Sequence, residues 1–186
     1  MKYVALLRPV GNRGMPPSAF LDELVAWGKS AAEEIFAPNS EPDDEMSRLE
    51  PLLGPWESPL HRRAALCELL RCLAGFESSW YWQEGVDRTN NTSTHVLECQ
   101  ETGIFQVSFN SLNLEKNGRT LRDLLDRKGI HSVADFIAQM KVDHSLALEY
   151  AARLLRISWR WDGPIKRHEI DASLSRAAVR EMMNLL

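Results

Sequence analysis

Along "SAFLDELVAWGKSAAEEIF" the apolar positions Phe20, Leu21, Leu24, Val25, Trp27 and Ile35 fall near one face of a helix, with Pro16 and Pro17 ahead and Ser18 as cap. The following stretch, Ala37 to Gly54, is rich in proline and acidic residues with only a short periodic piece, and predicts a surface connection. Ser58-Pro59 then signals a helix start. Behind it Leu60, Ala64, Cys67, Leu70 and Ala74 line one side of a helix, with Leu66, Leu69, Leu73 and Phe76 beside them. So wide an apolar arc belongs at the centre of a domain.

After this helix the pattern breaks down. "QEGVDRTNNTSTHVLECQETG" is polar and turn-rich, with some β character from His95 to Cys99, and predicts loops with at most a small hairpin. The overlapping Asn-x-Ser/Thr triplets at Asn90 and Asn91 read as turn chemistry. Periodicity returns in "TLRDLLDRKG" and in "SVADFIAQMKVDHSLALEYAARLLRISW", which is either one long helix or two meeting near Asp143. A last amphipathic helix lies in "DASLSRAAVREMMNLL", capped by Asp171 or Ser173. The expected class is mainly α, a central helix surrounded by others, with one small irregular or hairpin region.

Composition narrows this picture. A chain of 186 residues with 44% hydrophobic content can bury one sizeable core, so residues 1–186 read as one domain. Within it, residues 1–57 supply an N-terminal helix and connection, and residues 58–186 the core. The formal charge of -4 gives no general cationic field for nucleic acid or anionic membrane. The apolar run from Tyr3 to Leu7 is too short for a secretory segment, and no later stretch approaches a membrane span. Cys67, Cys72 and Cys99 form neither a disulfide framework nor a metal-ligand spacing, and read as free thiols or as a single bridge from Cys99. His95, His131, His144 and His168 have no Cys or Asp partner at metal-ligand spacing. Neither a metal nor a cofactor is expected.

The candidate chemistry sits where the central helix ends, in "ESSWYW". Glu77 there is either solvated or working, because burying an unpaired carboxylate costs several kcal/mol or forces it to take a proton. The negative end of the helix dipole adds to the rise in its pKa. A carboxyl of raised pKa facing a polar loop with Glu84, Asp87, Glu98 and Glu101 suits glycoside hydrolysis, which needs a general acid and a group to activate water or steady an oxocarbenium ion. Trp80, Tyr81 and Trp82 either pack in the core or offer faces to sugar rings.

Read together, "ESSW" at Glu77 to Trp80 and "TGIFQVS" at Thr102 to Ser108 resemble the lysozyme-like superfamily, in particular lytic transglycosylases and goose-type lysozymes. The resemblance implies an α+β lysozyme-like fold with Glu77 as general acid, Ser78 beside it, Gly103 allowing close approach under a sugar groove and Gln106 lining that groove. "GVDRTN" resembles the acidic loop of goose-type lysozymes and implies Asp87 as the residue that positions water. Ser108 stands where goose-type enzymes carry an aspartate, so a second carboxylate falls to Asp87, Glu84 or Glu101. "WDGPIKRH", Trp161 to His168, lies where transglycosylases carry Tyr-Asn-Ala-Gly, and keeps only the glycine.

The implied substrate is the peptidoglycan glycan strand, cut at β-1,4 bonds between N-acetylmuramic acid and N-acetylglucosamine. With its C-terminal "SRAAVREM" helix and no recognisable leader, the chain looks most like antibacterial type VI secretion effectors. These are made in the cytoplasm, delivered into a target cell's periplasm and blocked by an immunity protein that inserts into the cleft. A transglycosylase, a phage endolysin or a non-catalytic glycan-binding or adaptor module are the alternatives.

Overall fold

The computed structural model describes residues 2–39, 44–86, 95–114 and 120–186 and is mainly helical. Its axis is the 20-residue helix Pro59–Ser78, α3. Ser58 caps it by accepting the His61 N–H at 3.1 Å, with Pro59 in the first turn where no N–H is needed. From Ala64 to Gly75 every residue of α3 is buried, including Glu68 and Arg71. Those two carry opposite charges that satisfy each other: Arg71 Nε donates to Glu68 Oε2 at 2.7 Å and Nη2 to Oε1 at 2.9 Å. The pair also gathers both ends of the chain. Arg71 Nη1 donates to the Arg8 carbonyl at 3.2 Å, and Glu68 Oε1 accepts the Ser175 N–H at 3.0 Å.

Ser175 is the N-cap of the helix Arg176–Leu185, which packs along α3 more extensively than any other element. Asp171 and Ser173, the expected caps, form a short 3-10 turn instead. Their side chains are engaged elsewhere. Asp171 pairs with Arg48 and with His168 Nδ1, and Ser173 Oγ accepts the Gly11 N–H at 3.1 Å.

On the other side of α3 lies α1, Ser18–Ser30, which buries Phe20, Leu21, Leu24, Val25 and Trp27 as the periodicity predicts. Ser18 is its first helical residue and not its cap; Pro17 holds that position without a side-chain bond. Ile35 is buried too, but from a separate 3-10 turn, Glu33–Phe36.

The predicted surface connection is where the structure departs most from expectation. It contains a helix, Glu45–Leu53 (α2), that buries Glu45, Met46, Leu49 and Leu53, with Asp44 buried at its cap. Acidic side chains can enter the interior here because arginines meet them, one from far along the chain and one from the next turn of the same helix. Arg156 Nη2 donates to Asp44 Oδ2 at 3.1 Å, and Arg48 reaches Glu45 at 2.6 Å.

Thr120–Arg127 (α4), Val133–Val142 (α5) and His144–Ile157 (α6) complete the shell. The two-helix alternative holds near Asp143, which accepts the Leu146 N–H at 2.9 Å and so caps α6 where α5 ends. A four-residue helix follows, Gly163–Lys166 (α7), and then the C-terminal helix Arg176–Leu185, α8. Among the described residues strand pairing amounts to one bridge, Thr102 with Val107. The expected β character from His95 to Cys99 is instead a 3-10 turn, Leu97–Cys99, closed by Cys99 N–H to the Val96 carbonyl at 2.9 Å. The cysteines are unpaired, and burial pushes the Cys67 thiol up to about 12, which leaves it unreactive.

Breaking the pair in α3 should be costly. Arg71→Met strands a buried carboxylate, and urea unfolding should show a loss of about 3–5 kcal/mol. The double variant Glu68→Gln/Arg71→Met should recover part of that loss, since no charge is then left uncompensated.

Candidate functional site

The site is built by how α3 stops. Ser79 and Trp80 both adopt left-handed backbone, with φ of 52° and 62°. For residues with a Cβ this conformation is disfavoured, so something must hold it. Trp80 does so: its ring is buried against Gly75, and its indole N–H donates to the Arg71 carbonyl at 2.9 Å. The Ser79 and Trp80 N–H groups close back on the Gly75 and Ala74 carbonyls, each at 3.0 Å. The chain therefore leaves the helix sharply right after Glu77 and Ser78.

Ser78 fastens this end to the next motif. Its hydroxyl is buried, donates toward the Ile104 carbonyl at 2.9 Å and accepts the Tyr81 N–H at 3.1 Å. In that motif Thr102 N–H bonds the Val107 carbonyl at 2.9 Å and Gly103 N–H bonds the Glu84 carbonyl at 2.9 Å. Gly103 has φ 70°, and a Cβ there would stand 2.7 Å from the Met140 carbonyl oxygen. Its lack of a side chain serves packing against the end of α5, not approach to a groove. Gln106, itself at φ 45°, folds its amide back to donate to the Gly103 carbonyl at 2.9 Å.

Two cavities of about 410 and 660 Å³ adjoin at Glu77. Glu77, Glu101, Gln106 and Gly163 line both, so they are the two arms of one groove. The first arm adds Asp162 and the uncharged polar residues Ser108, Asn110 and Asn113, with Trp161. The Trp161 indole N–H is buried there with no acceptor among the described residues. The second arm adds Glu84 and Arg167.

Of the sequence-predicted residues, Glu77, Glu84, Glu101, Gln106 and Ser108 come together on this groove. Ser78, Trp80 and Gly103 do not line either arm; they shape the turn behind it. Asp87 lies outside the described residues, as do Asn90 and Asn91. Among the described residues no cluster of three or more His, Cys, Asp and Glu is arranged to hold a metal ion.

The groove also contains a residue that the sequence reading passed over. Asp162 is only 2% exposed and faces Glu77. Its Oδ1 accepts the Ile165 N–H at 2.8 Å, capping α7. Its Oδ2 is buried, and among the described residues no N–H or O–H group donates to it. The Glu77 carboxyl, in hydrogen-bonding contact with Asp162, can supply that donor only while it carries a proton.

Electrostatics agree with this geometry. Burial, then the charge of Asp162 and the bond to it, then the charge of Glu101, push Glu77 up to about 9. Burial also raises Asp162, to about 6, against the Ile165 N–H, the bond from Glu77 and the charges of Arg167 and Arg48. The pair therefore holds one shared proton across neutral pH, resting on Glu77. The signal for Asp162 was present in "WDGPIK": an Asp two residues before a proline is a helix-start pattern.

A carboxyl raised on folding weakens the fold as pH climbs. Unfolded Glu77 releases its proton near 4.5, whereas the folded group keeps it to about 9, so stability falls across that window. Glu77→Gln keeps a donor for Asp162 without the titration. It should stabilise the protein at pH 8 by about 1–3 kcal/mol and have no such effect at pH 4, as thermal unfolding at the two pH values would show.

No protein-family model, curated protein or solved structure matches this chain, so what the site does is read from its own geometry.

Proposed function

We propose that the chain is a lysozyme-like peptidoglycan glycoside hydrolase that cleaves β-1,4 bonds between N-acetylmuramic acid and N-acetylglucosamine, with Glu77 as general acid. The observation that carries this reading is the proton-sharing Glu77–Asp162 pair at the junction of two groove arms. A groove open on both sides of an acid suits a polymer cut internally, with sugars bound before and after the scissile bond. The amide and hydroxyl groups of the first arm match the hydroxyl and acetamido groups of such sugars.

In the reaction Glu77 gives its proton to the glycosidic oxygen as the sugar develops oxocarbenium character. Asp162 keeps that proton on Glu77 until the oxygen arrives, and its remaining charge faces the developing cation. Two carboxyls in direct contact are closer than the 5 Å or more that separates the catalytic carboxyls of retaining and inverting glycosidases. Asp162 thus works with Glu77 as one acid unit and does not attack from the opposite face. Glu101, which lines both arms, is the carboxylate placed to take a proton from attacking water. Reading the chain as an antibacterial effector with an immunity partner rests on the sequence resemblance.

Digestion of purified sacculi followed by mass spectrometry of the soluble products tests the proposal. Wild type should release reducing-end muropeptides, and Glu77→Gln should be slower by roughly 10²–10⁴-fold. Anhydro products would assign attack to the sugar's own hydroxyl, and no products from wild type would leave a glycan-binding module. Asp162→Asn should also move the alkaline limb of the rate profile to lower pH, because the charge that holds the proton on Glu77 is gone.

A further inference from the structure

Arg167 is the one Lys or Arg among the described residues lining either arm of the groove. It is held in a defined pose by two features. Glu169 takes one edge of its guanidinium as a fork, Nε to Oε1 at 2.7 Å and Nη2 to Oε2 at 3.1 Å. The other edge lies across Gly163, where a Cβ would stand 2.8 Å from Nη1. The guanidinium thus lies close over Gly163, next to Asp162.

Glu169 takes up Nε and Nη2, and Nη1 is not engaged by it. The other titratable groups lining this arm are carboxyls, Glu84 and Glu101 beside the protonated Glu77. An anionic substituent entering among them is repelled everywhere except at Arg167. Resting on the glycan reading above, we propose that Arg167 is a specificity-determining residue that accepts a carboxylate on the substituent of the sugar held in the second arm. The sugar of the peptidoglycan strand that carries such a group is muramic acid, through its lactyl carboxyl or through the carboxyls of an attached peptide. The first arm, which has carboxyls, amides and hydroxyls but no Lys or Arg among its lining residues, then takes the neutral N-acetylglucosamine.

The test measures binding in a Glu77→Gln background, by tryptophan fluorescence, with three probes. These are neutral N-acetylglucosamine oligomers, glycan strands stripped of peptides so that each lactyl carboxylate is free, and peptide-bearing strands. Adding Arg167→Ala should weaken binding of the carboxylate-bearing strands by roughly tenfold while changing the neutral oligomers by less than about twofold. Arg167-dependence on stripped strands assigns the lactyl carboxylate, and dependence on peptide-bearing strands alone assigns the peptide. Equal weakening on neutral and anionic probes, or none on either, overturns the proposal. Failure of the Glu77→Gln parent to bind any of the three overturns the glycan reading itself, a result distinguishable from loss of Arg167-dependence alone.

Discussion

A single buried ion pair in the middle of α3 organises this molecule. Glu68 and Arg71 lie one turn apart with no solvent exposure, so each depends on the other and on backbone groups for the hydrogen bonds that water would have made. Those backbone groups come from Arg8 near one end of the chain and Ser175 near the other. The pair therefore fixes the N-terminal segment and α8 against the same stretch of helix. Its influence continues into the site. The Arg71 carbonyl holds the Trp80 indole, Trp80 holds the left-handed turn after Ser78, and that turn determines where Glu77 stands.

What stands there is a carboxyl that the fold keeps protonated. Burial alone would raise its pKa, but burial is not selective. Selectivity comes from Asp162, whose second oxygen finds no donor among the described residues unless Glu77 carries hydrogen. Asp162 stays the more acidic member because the start of α7 supplies an N–H to its first oxygen. A carboxyl held protonated in this way weakens the fold as pH rises, because the unfolded chain releases that proton earlier.

The helices that could be read from sequence are those whose burial is apolar. The periodic stripes of α1 and α3 predict which faces are buried, apart from Leu60, which is exposed at the start of α3, and Ser58-Pro59 predicts where the central helix starts. Local pattern failed where burial depends on a distant partner. Asp44 looks like solvated surface until Arg156 is brought against it. Asp171 looks like a cap until Arg48 draws it away. The same holds for the site. Glu77 is legible because it ends an apolar helix, and Glu101, Gln106 and Ser108 are legible from the motif that follows. Asp162 lies 85 positions beyond Glu77 (162 minus 77) and becomes its partner only through the packing that follows α6.

The central claim is that one proton is shared by Glu77 and Asp162 at neutral pH. It is tested most directly by a carbon-13 NMR titration of the carboxyl-labelled protein, with Glu77→Gln and Asp162→Asn used to assign the two resonances. The account predicts one carboxyl that stays protonated through neutrality, loses its proton near the alkaline end of the range, and titrates at lower pH once Asp162 is replaced. Two carboxyls that both ionise below pH 5, each indifferent to replacement of the other, would contradict it.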